Sequence, residues 1–270
     1  MKIAIIGHTG MGGQLLTQEL LNRGHQITGI AIDAEKAPSL KNLTSIKCNI
    51  LDCAVSELVN AIRDHDVVVS TFSGGHEVDI LVYYRQVEAT RRIIRAFKKA
   101  KGNYLVYIGG AASLYVKPDL QMFDDPRFPK WYFGIAPSEH LRWLGEITHE
   151  SFFLDAAERR EKGMLRENES DIELENAVEG WTHVPLLEGC RVALDLFEAD
   201  KSFNWSFLSP PWFYRPGEKT GSYILGTDFM LMDRGIPASI SVSDLQLAVA
   251  DEVETQQLLH KHWTAAKSTY

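Results

Sequence analysis

Short apolar runs alternate with stretches of helical spacing through the first part of the chain. Lys2-Ile3-Ala4-Ile5-Ile6 is a continuous apolar run, which predicts a strand buried on both faces of a parallel sheet. Glycines follow at 7, 10 and 13. Gln14 to Leu21 then carries Leu15, Leu16, Leu20 and Leu21 at helical spacing, and Asn22-Arg23-Gly24 stops that helix. Gln26 to Ile32 is a second strand, leading to Asp33 twenty residues beyond Gly13. A strand from Thr44 to Cys48, a helix from Val55 to Arg63 and a buried strand from Asp66 to Phe72 continue the alternation. The helix from Val78 to Ala100 turns Ile80, Val87, Ile93, Ile94 and Phe97 inward and ends in Arg and Lys, where the helix dipole favours them. Asn103 to Ile108 is the fifth strand. This rhythm specifies the α/β class, with a doubly wound parallel sheet.

The rhythm then breaks. Pro118 to Pro137 reads as a loop holding the aromatics Phe123, Phe128, Trp131, Tyr132 and Phe133. Residues 138–180 read as three helices, the first capped by Ser138, the second by Ser151, the third by a Ser170–Glu173 capping box and ended by Gly180. Leu187 to Ala199 is amphipathic and packs on the sheet, Asn204 to Leu208 is the sixth strand, and a last helix runs from Leu245 to Val253 after Ser241-Val242-Ser243-Asp244. We therefore expect one domain over 1–270, with an inserted helical segment at 134–186 after the fifth strand.

A strand, a glycine turn, a helix and a second strand ending in an acid together form the frame that dinucleotide binding needs. Glycines let the backbone approach a pyrophosphate, the helix N-terminus offers free N–H groups, and the acid accepts from the adenosine ribose hydroxyls. Gly7, Thr9, Gly10, Met11, Gly12 and Gly13 are the expected pyrophosphate loop, and Asp33 the ribose acid. The carboxyl ends of later strands supply further expected cofactor contacts: Asn49 and Ile50; Thr71, Phe72 and Ser73; Gly110 and Ala111; and Ser209, Pro210 and Pro211.

The net charge of −8 sits in one place. Between Glu146 and Glu188 twelve acids face four bases, so the remainder is formally neutral, and no basic face argues for nucleic acid. No apolar run is long enough to span a bilayer, and Met1 leads straight into the first strand, so neither a membrane partner nor a signal peptide is expected. Three cysteines (Cys48, Cys53, Cys190) fit reduced thiols in a cytoplasmic protein, and no metal site is expected. His140, His149 and His183 are too widely spaced for ligands and read as solvated or core side chains.

Several stretches together resemble the atypical short-chain dehydrogenase/reductases, in particular the NADH-flavin reductase-like, NAD(P)H-binding (NmrA-like) group. They are Lys2 to Gly13, Arg23-Gly24-His25, Glu88-Ala89-Thr90, Gly109 to Leu114, Phe128-Pro129, Trp205 to Pro211, Pro216 to Gly221 and Ile240 to Asp244. The resemblance covers roughly residues 1–130 and 187–260. It implies a Rossmann-type fold, NAD(P)H across the carboxyl ends of the strands, and reduction of flavins, quinones or similar conjugated acceptors.

The departures matter. The family usually has Ala at His8 and an arginine for the 2′-phosphate of NADP where this chain has Ile32; Asp33 beside it favours NADH. The Tyr-x-x-x-Lys pair of the wider family is missing, since Tyr132 is followed four residues later by Ala136. Ser113 and Tyr132 remain the catalytic candidates, Ser113 against a turn-capping role and Tyr132 against a core role. A flavin or quinone can take its proton from water, so the missing pair is tolerable for that class. An NAD(P)-sensing regulator acting on a partner protein is the rival reading, with an epimerase of the extended reductase type a third. The acidic insertion is expected to be a helical lid, or else a surface for a homodimer or protein partner. Between Ser113 and Pro210 we expect an aromatic-lined pocket, walled by Trp212 and Phe213, for a small-molecule acceptor.

Overall fold

The computed structural model describes residues 1–166 and 168–268; Glu167, one of the acids counted above, lies outside them. Eight strands form the central sheet: β1 (Lys2–Ile6), β2 (Gln26–Ala31), β3 (Leu43–Lys47), β4 (Val67–Ser70), β5 (Leu105–Ile108), β6 (Trp205–Leu208), β7 (Tyr223–Gly226) and β8 (His262–Lys267). Their order is β7-β8-β6-β5-β4-β1-β2-β3. All neighbours pair in parallel except β7, which runs antiparallel to β8. The strand order reverses between β1 and β4, the switch point at which ligands collect in such sheets.

The helices are α1 (Met11–Asn22), α2 (Val55–Ile62), α3 (Ile80–Ala100), α4 (Lys130–Gly134), α5 (Ser138–Thr148), α6 (Ser151–Glu161), α7 (Ile172–Ala177), α8 (Pro185–Glu198) and α9 (Val242–Thr255). Period-two alternation sorts each strand between two cores. Ile3 and Ile5 face α1 and α9 with Leu16, Leu20, Leu245 and Val249, while Ala4 and Ile6 face α2, α3 and α8 with Leu58, Ile93 and Phe197. A third core lies beyond the strand ends. There Tyr132, Phe133, Leu141, Phe153 and Leu174 close around Trp212 and Phe213.

Several sequence expectations shift. Helix α3 begins after the Asp79 cap, which accepts from the Leu81 N–H, and Ile80 is exposed instead of inward. Its buried face carries Gln86 and Thr90, both hydrogen-bonded to the Tyr107 hydroxyl, a polar cluster that an apolar count overlooks. Leu15 is exposed while Leu16 and Leu20 are buried. Pro137 and Glu150 cap α5 and α6, so Ser138 and Ser151 are first helical residues, and neither cap position makes a side-chain cap bond. Asp171, not Ser170, caps α7, accepting from the Leu174 N–H at 3.1 Å. Ser170 turns aside to Glu175. The expected loop at 118–137 contains α4 and half of a short hairpin, Tyr115–Lys117 with Leu120–Gln121.

Acids of the insertion are spent partly on each other's helices. Arg159 joins Asp171 at 2.9 Å and Glu173 at 3.0 Å, tying α6 to α7, and Arg142 joins Glu161 at 2.6 Å, tying α5 to α6. Helices α6 and α7 bury Phe153, Ala156 and Leu174 completely, so they are part of a core.

Candidate functional site

Gly7 leaves β1 with φ +83°, a backbone geometry that favours glycine. Thr71 Oγ1, at the end of β4, lies 3.0 Å from the Ile6 and Gly7 carbonyls and pins the turn. A Cβ on Gly13 would stand 2.1 Å from the Gly7 carbonyl oxygen, so α1 can meet the loop only with glycine there. Gly10 precedes α1 without a side-chain cap, leaving the amides of the first turn free for an anion. Asp33 accepts from Thr9 Oγ1 at 2.5 Å and lies 3.1 Å from Lys36 Nζ; these two partners, Thr9 foremost, hold its carboxyl below the ordinary carboxylate range.

One cavity of about 760 Å³ takes in this loop and runs along the strand ends. At one end are Gly7, Thr9, Gly10, Met11, Gly12 and Asp33. Asn49 and Ile50 wall it beyond β3; Thr71, Phe72 and Ser73 beyond β4; Gly110 and Ala111 beyond β5; Pro210 and Pro211 beyond β6. At the other end the wall is aromatic, with Phe133, Trp143, Trp181, Trp212 and Tyr214, and the α5 residues His140, Leu144 and Ile147 complete it. Phe133 meets Trp212 at 5.2 Å and Trp181 at 5.9 Å between ring centres, both edge-on.

Four expected site residues stand off the cavity wall, and so does Phe213, expected to wall the pocket with Trp212 but packed in the third core. Gly13 lies under the loop, as the close approach to Gly7 requires. Ser209 Oγ and His262 Nε2 pair at 2.8 Å beneath the sheet edge, both buried. Ser113 is wholly buried, with no hydrogen-bond partner for its Oγ among the described residues, so the turn carries it away from the pocket. Tyr132 is also wholly buried and its hydroxyl donates to Asp125 Oδ2 at 2.9 Å. Burial first, then the Asp125 carboxylate, push its pKa up, while Arg127 holds that carboxylate in place at 2.7 Å. Both catalytic candidates thus have buried side chains, and neither lines the cavity. Sequence spacing showed where their backbones lie but not which way the side chains turn.

Other residues of the wall were not singled out from the sequence. His140 is buried, as a core reading expects, yet it lines the cavity. Trp143, Trp181, Tyr214 and Gln246 reach the wall from α5, from the connection before α8, from the strand after Trp212 and from α9. The only advance signal was helical spacing from Leu141 and Leu144. Cys190 reaches the cavity too, but burial pushes its thiol up to about 12 and leaves it un-ionised at neutral pH. Asp244 accepts from the Thr220 and Gly221 amides at 2.9 Å, so the two distant stretches of the resemblance meet and fix the start of α9.

A parallel sheet with an amide-lined glycine cradle at its switch point defines a dinucleotide-binding protein. Residues 7–140 match the family model for NAD(P)H-binding. It is 27% identical to the uncharacterized protein YwnB of Bacillus subtilis over 267 residues, 98% of this chain and 97% of that one. Among solved structures, a proposed epimerase from Bacteroides thetaiotaomicron superposes with a TM-score of 0.72 at 24% identity, covering 100% of this chain and 98% of the other. A proposed NADH-flavin reductase from Streptococcus pneumoniae gives 0.69 at 20% identity, covering 99% and 100%. No helix among the described residues is long and apolar enough to cross a membrane.

Proposed function

We propose that the protein is an NADH-dependent reductase that passes a hydride to a small, planar, conjugated acceptor. The observation that carries this reading is the single cavity, which joins the glycine cradle and Asp33 at one end to an aromatic wall at the other. The Gly7–Gly12 loop and the open first turn of α1 would hold the pyrophosphate, and Asp33 the adenosine ribose. The bound dihydronicotinamide supplies the hydride. The chain's part is to orient the two partners and exclude water, which Pro210, Pro211 and the tryptophans do by offering flat surface without backbone donors at the prolines. Neither Ser113 nor Tyr132 lines the cavity, so neither is placed to protonate the acceptor. An acceptor whose reduced form is a weak acid, such as a quinone or flavin, tolerates that. An alcohol substrate, which needs a base at its hydroxyl, does not.

The test is oxidation of NADH by the purified protein with menadione or a free flavin, followed by the fall in NADH absorbance. Catalysed oxidation is expected. Tight NADH binding with no turnover of any such acceptor overturns the reading in favour of a nucleotide-sensing role.

Asp33 also sets the expected cofactor choice, because a carboxylate repels a 2′-phosphate. Asp33→Ala should weaken NADH about tenfold or more, corresponding to the ~1.5–3 kcal/mol of one charge-assisted hydrogen bond. NADPH should change far less. Fluorescence titration with both nucleotides checks this, and tighter NADPH than NADH binding by the unaltered chain would refute it.

A further inference from the structure

His140 is a polar side chain set among the rings of the aromatic wall. It sits in the first turn of α5, is only 2% exposed, and lines the cavity. Its Nδ1 is sealed from solvent, and neither ring nitrogen has a hydrogen-bond partner among the described residues. Three rings stand around it: Phe213 at 5.3 Å, Trp143 at 5.6 Å and Trp212 at 6.2 Å between centres. Burial, reinforced by the charge of Arg215, pushes its pKa down to about 3, so at neutral pH it is an uncharged imidazole with one N–H donor and one acceptor nitrogen. No group of three or more His, Cys, Asp or Glu side chains that could hold a metal exists among the described residues, so a ligand role does not account for it.

The charged side chains that reach the cavity are Asp33, Glu77 and Arg85. Asp33 belongs to the nucleotide end. Glu77 and Arg85 lie on the segment after β4 and on α3, and Arg85 already donates to the Gly74 carbonyl at 2.9 Å. The stretches 133–148 and 181–187, which bring in His140, Trp143 and Trp181, contribute no charged side chain to the wall. A phosphate or carboxylate seated there would lose its hydration with no cation in that part of the wall to pair with, the charge of Arg215 acting on His140 from outside the lining, and that loss is costly. A neutral ring system with one strong acceptor oxygen meets the opposite situation: flat apolar surface and, on His140, a donor without a partner.

We propose that His140 determines acceptor specificity, its ring N–H donating a hydrogen bond to a carbonyl oxygen of an uncharged, planar compound of the quinone class seated among Trp143, Trp181 and Trp212. This rests on the reading of the cavity as a site for cofactor and acceptor together. The hydrogen bond would meet the oxygen on which negative charge gathers as the acceptor is reduced, which is where a fixed donor helps most.

The experiment uses the full chain, menadione, and a methylnaphthalene of the same outline without oxygens. Binding is read from quenching of tryptophan fluorescence, and the bound carbonyl from its infrared stretch. In the unaltered protein the stretch is expected below its position in hexane and in the direction of a hydrogen-bonded carbonyl. His140→Phe keeps a flat ring and should raise the menadione Kd about tenfold, return the stretch towards the free value, and leave the methylnaphthalene and NADH affinities within about twofold. An unshifted carbonyl in the unaltered protein overturns the proposal without any variant. Equal loss of menadione and methylnaphthalene in His140→Phe also overturns it, since that is a packing effect. If the carbonyl signature responds to His140→Phe but NADH is never oxidised, the hydrogen bond stands and the reductase reading fails. If NADH is oxidised by menadione with no change in His140→Phe, the reductase reading stands and this proposal fails.

Discussion

Alanine at position 13 should abolish nucleotide binding at ordinary NADH concentrations. The added methyl carbon would lie 2.1 Å from the Gly7 carbonyl oxygen and 2.7 Å from His8 Cα, both backbone, so no side chain can swing aside to make room. The helix must then move off the loop. Overpacking of this kind costs about 1–3 kcal/mol of stability and occasionally more. The loss of affinity should be larger, because a shift of α1 also strains the Gly10 N–H to Gly7 carbonyl bond that sets the loop against the helix. A drop of more than about 100-fold in NADH affinity is expected, with a folded protein by circular dichroism. Near-normal titration with NADH would show that the pyrophosphate lies elsewhere.

The second large effect concerns Trp212. Its indole N–H donates to the Tyr132 carbonyl at 2.9 Å, and its ring meets Tyr132, Phe133, Phe128 and His140. At 7% exposed it belongs to the third core as much as to the cavity wall. Trp212→Ala should therefore destabilise the protein by about 3–5 kcal/mol, with a fall in Tm of roughly 10 °C. An acceptor defect in that variant would be mixed with unfolding. Trp143, half-buried on α5, separates the two: Trp143→Ala should raise the acceptor KM several-fold with little change in Tm or NADH affinity. A Trp212→Ala protein as stable as its parent would contradict the packing described for the insertion. Removal of 150–180, attractive when the insertion is read as a detachable lid, would take Phe153 and Leu174 out of the same core.

The nucleotide half was legible because each of its requirements leaves a local mark. A strand buried on both faces needs the run Ile3 to Ile6, a backbone contact needs Gly13, and Asp33 stands just beyond β2. The aromatic half of the cavity left no such mark. His140 and Trp143 matter through the direction α5 takes over the sheet, and nothing in their spacing encodes that. Ser113 shows the converse error: its backbone is where the fold places it, but a single 3-10 turn sends the hydroxyl inward. Strand β8 went unread because His262-Trp263-Thr264-Ala265-Ala266-Lys267 mixes polar His262 and Thr264 with small Ala265 and Ala266 and gives no continuous apolar run, although Trp263 is buried. Strand β7 went unread because, as an edge, it leaves Ile224 and Leu225 partly exposed.

The position of β8 has a consequence for synthesis. It lies between β6 and β7, although both are made before it. While the chain emerges from the ribosome, β6 presents an open edge, and β7 has no partner at all until residues 262–267 arrive. Open edges of that kind recruit other chains. The newborn protein thus passes through a window in which its sheet is complete from β3 to β6 and unsealed on one side. A pause in translation between Gly226 and His262 would lengthen that window.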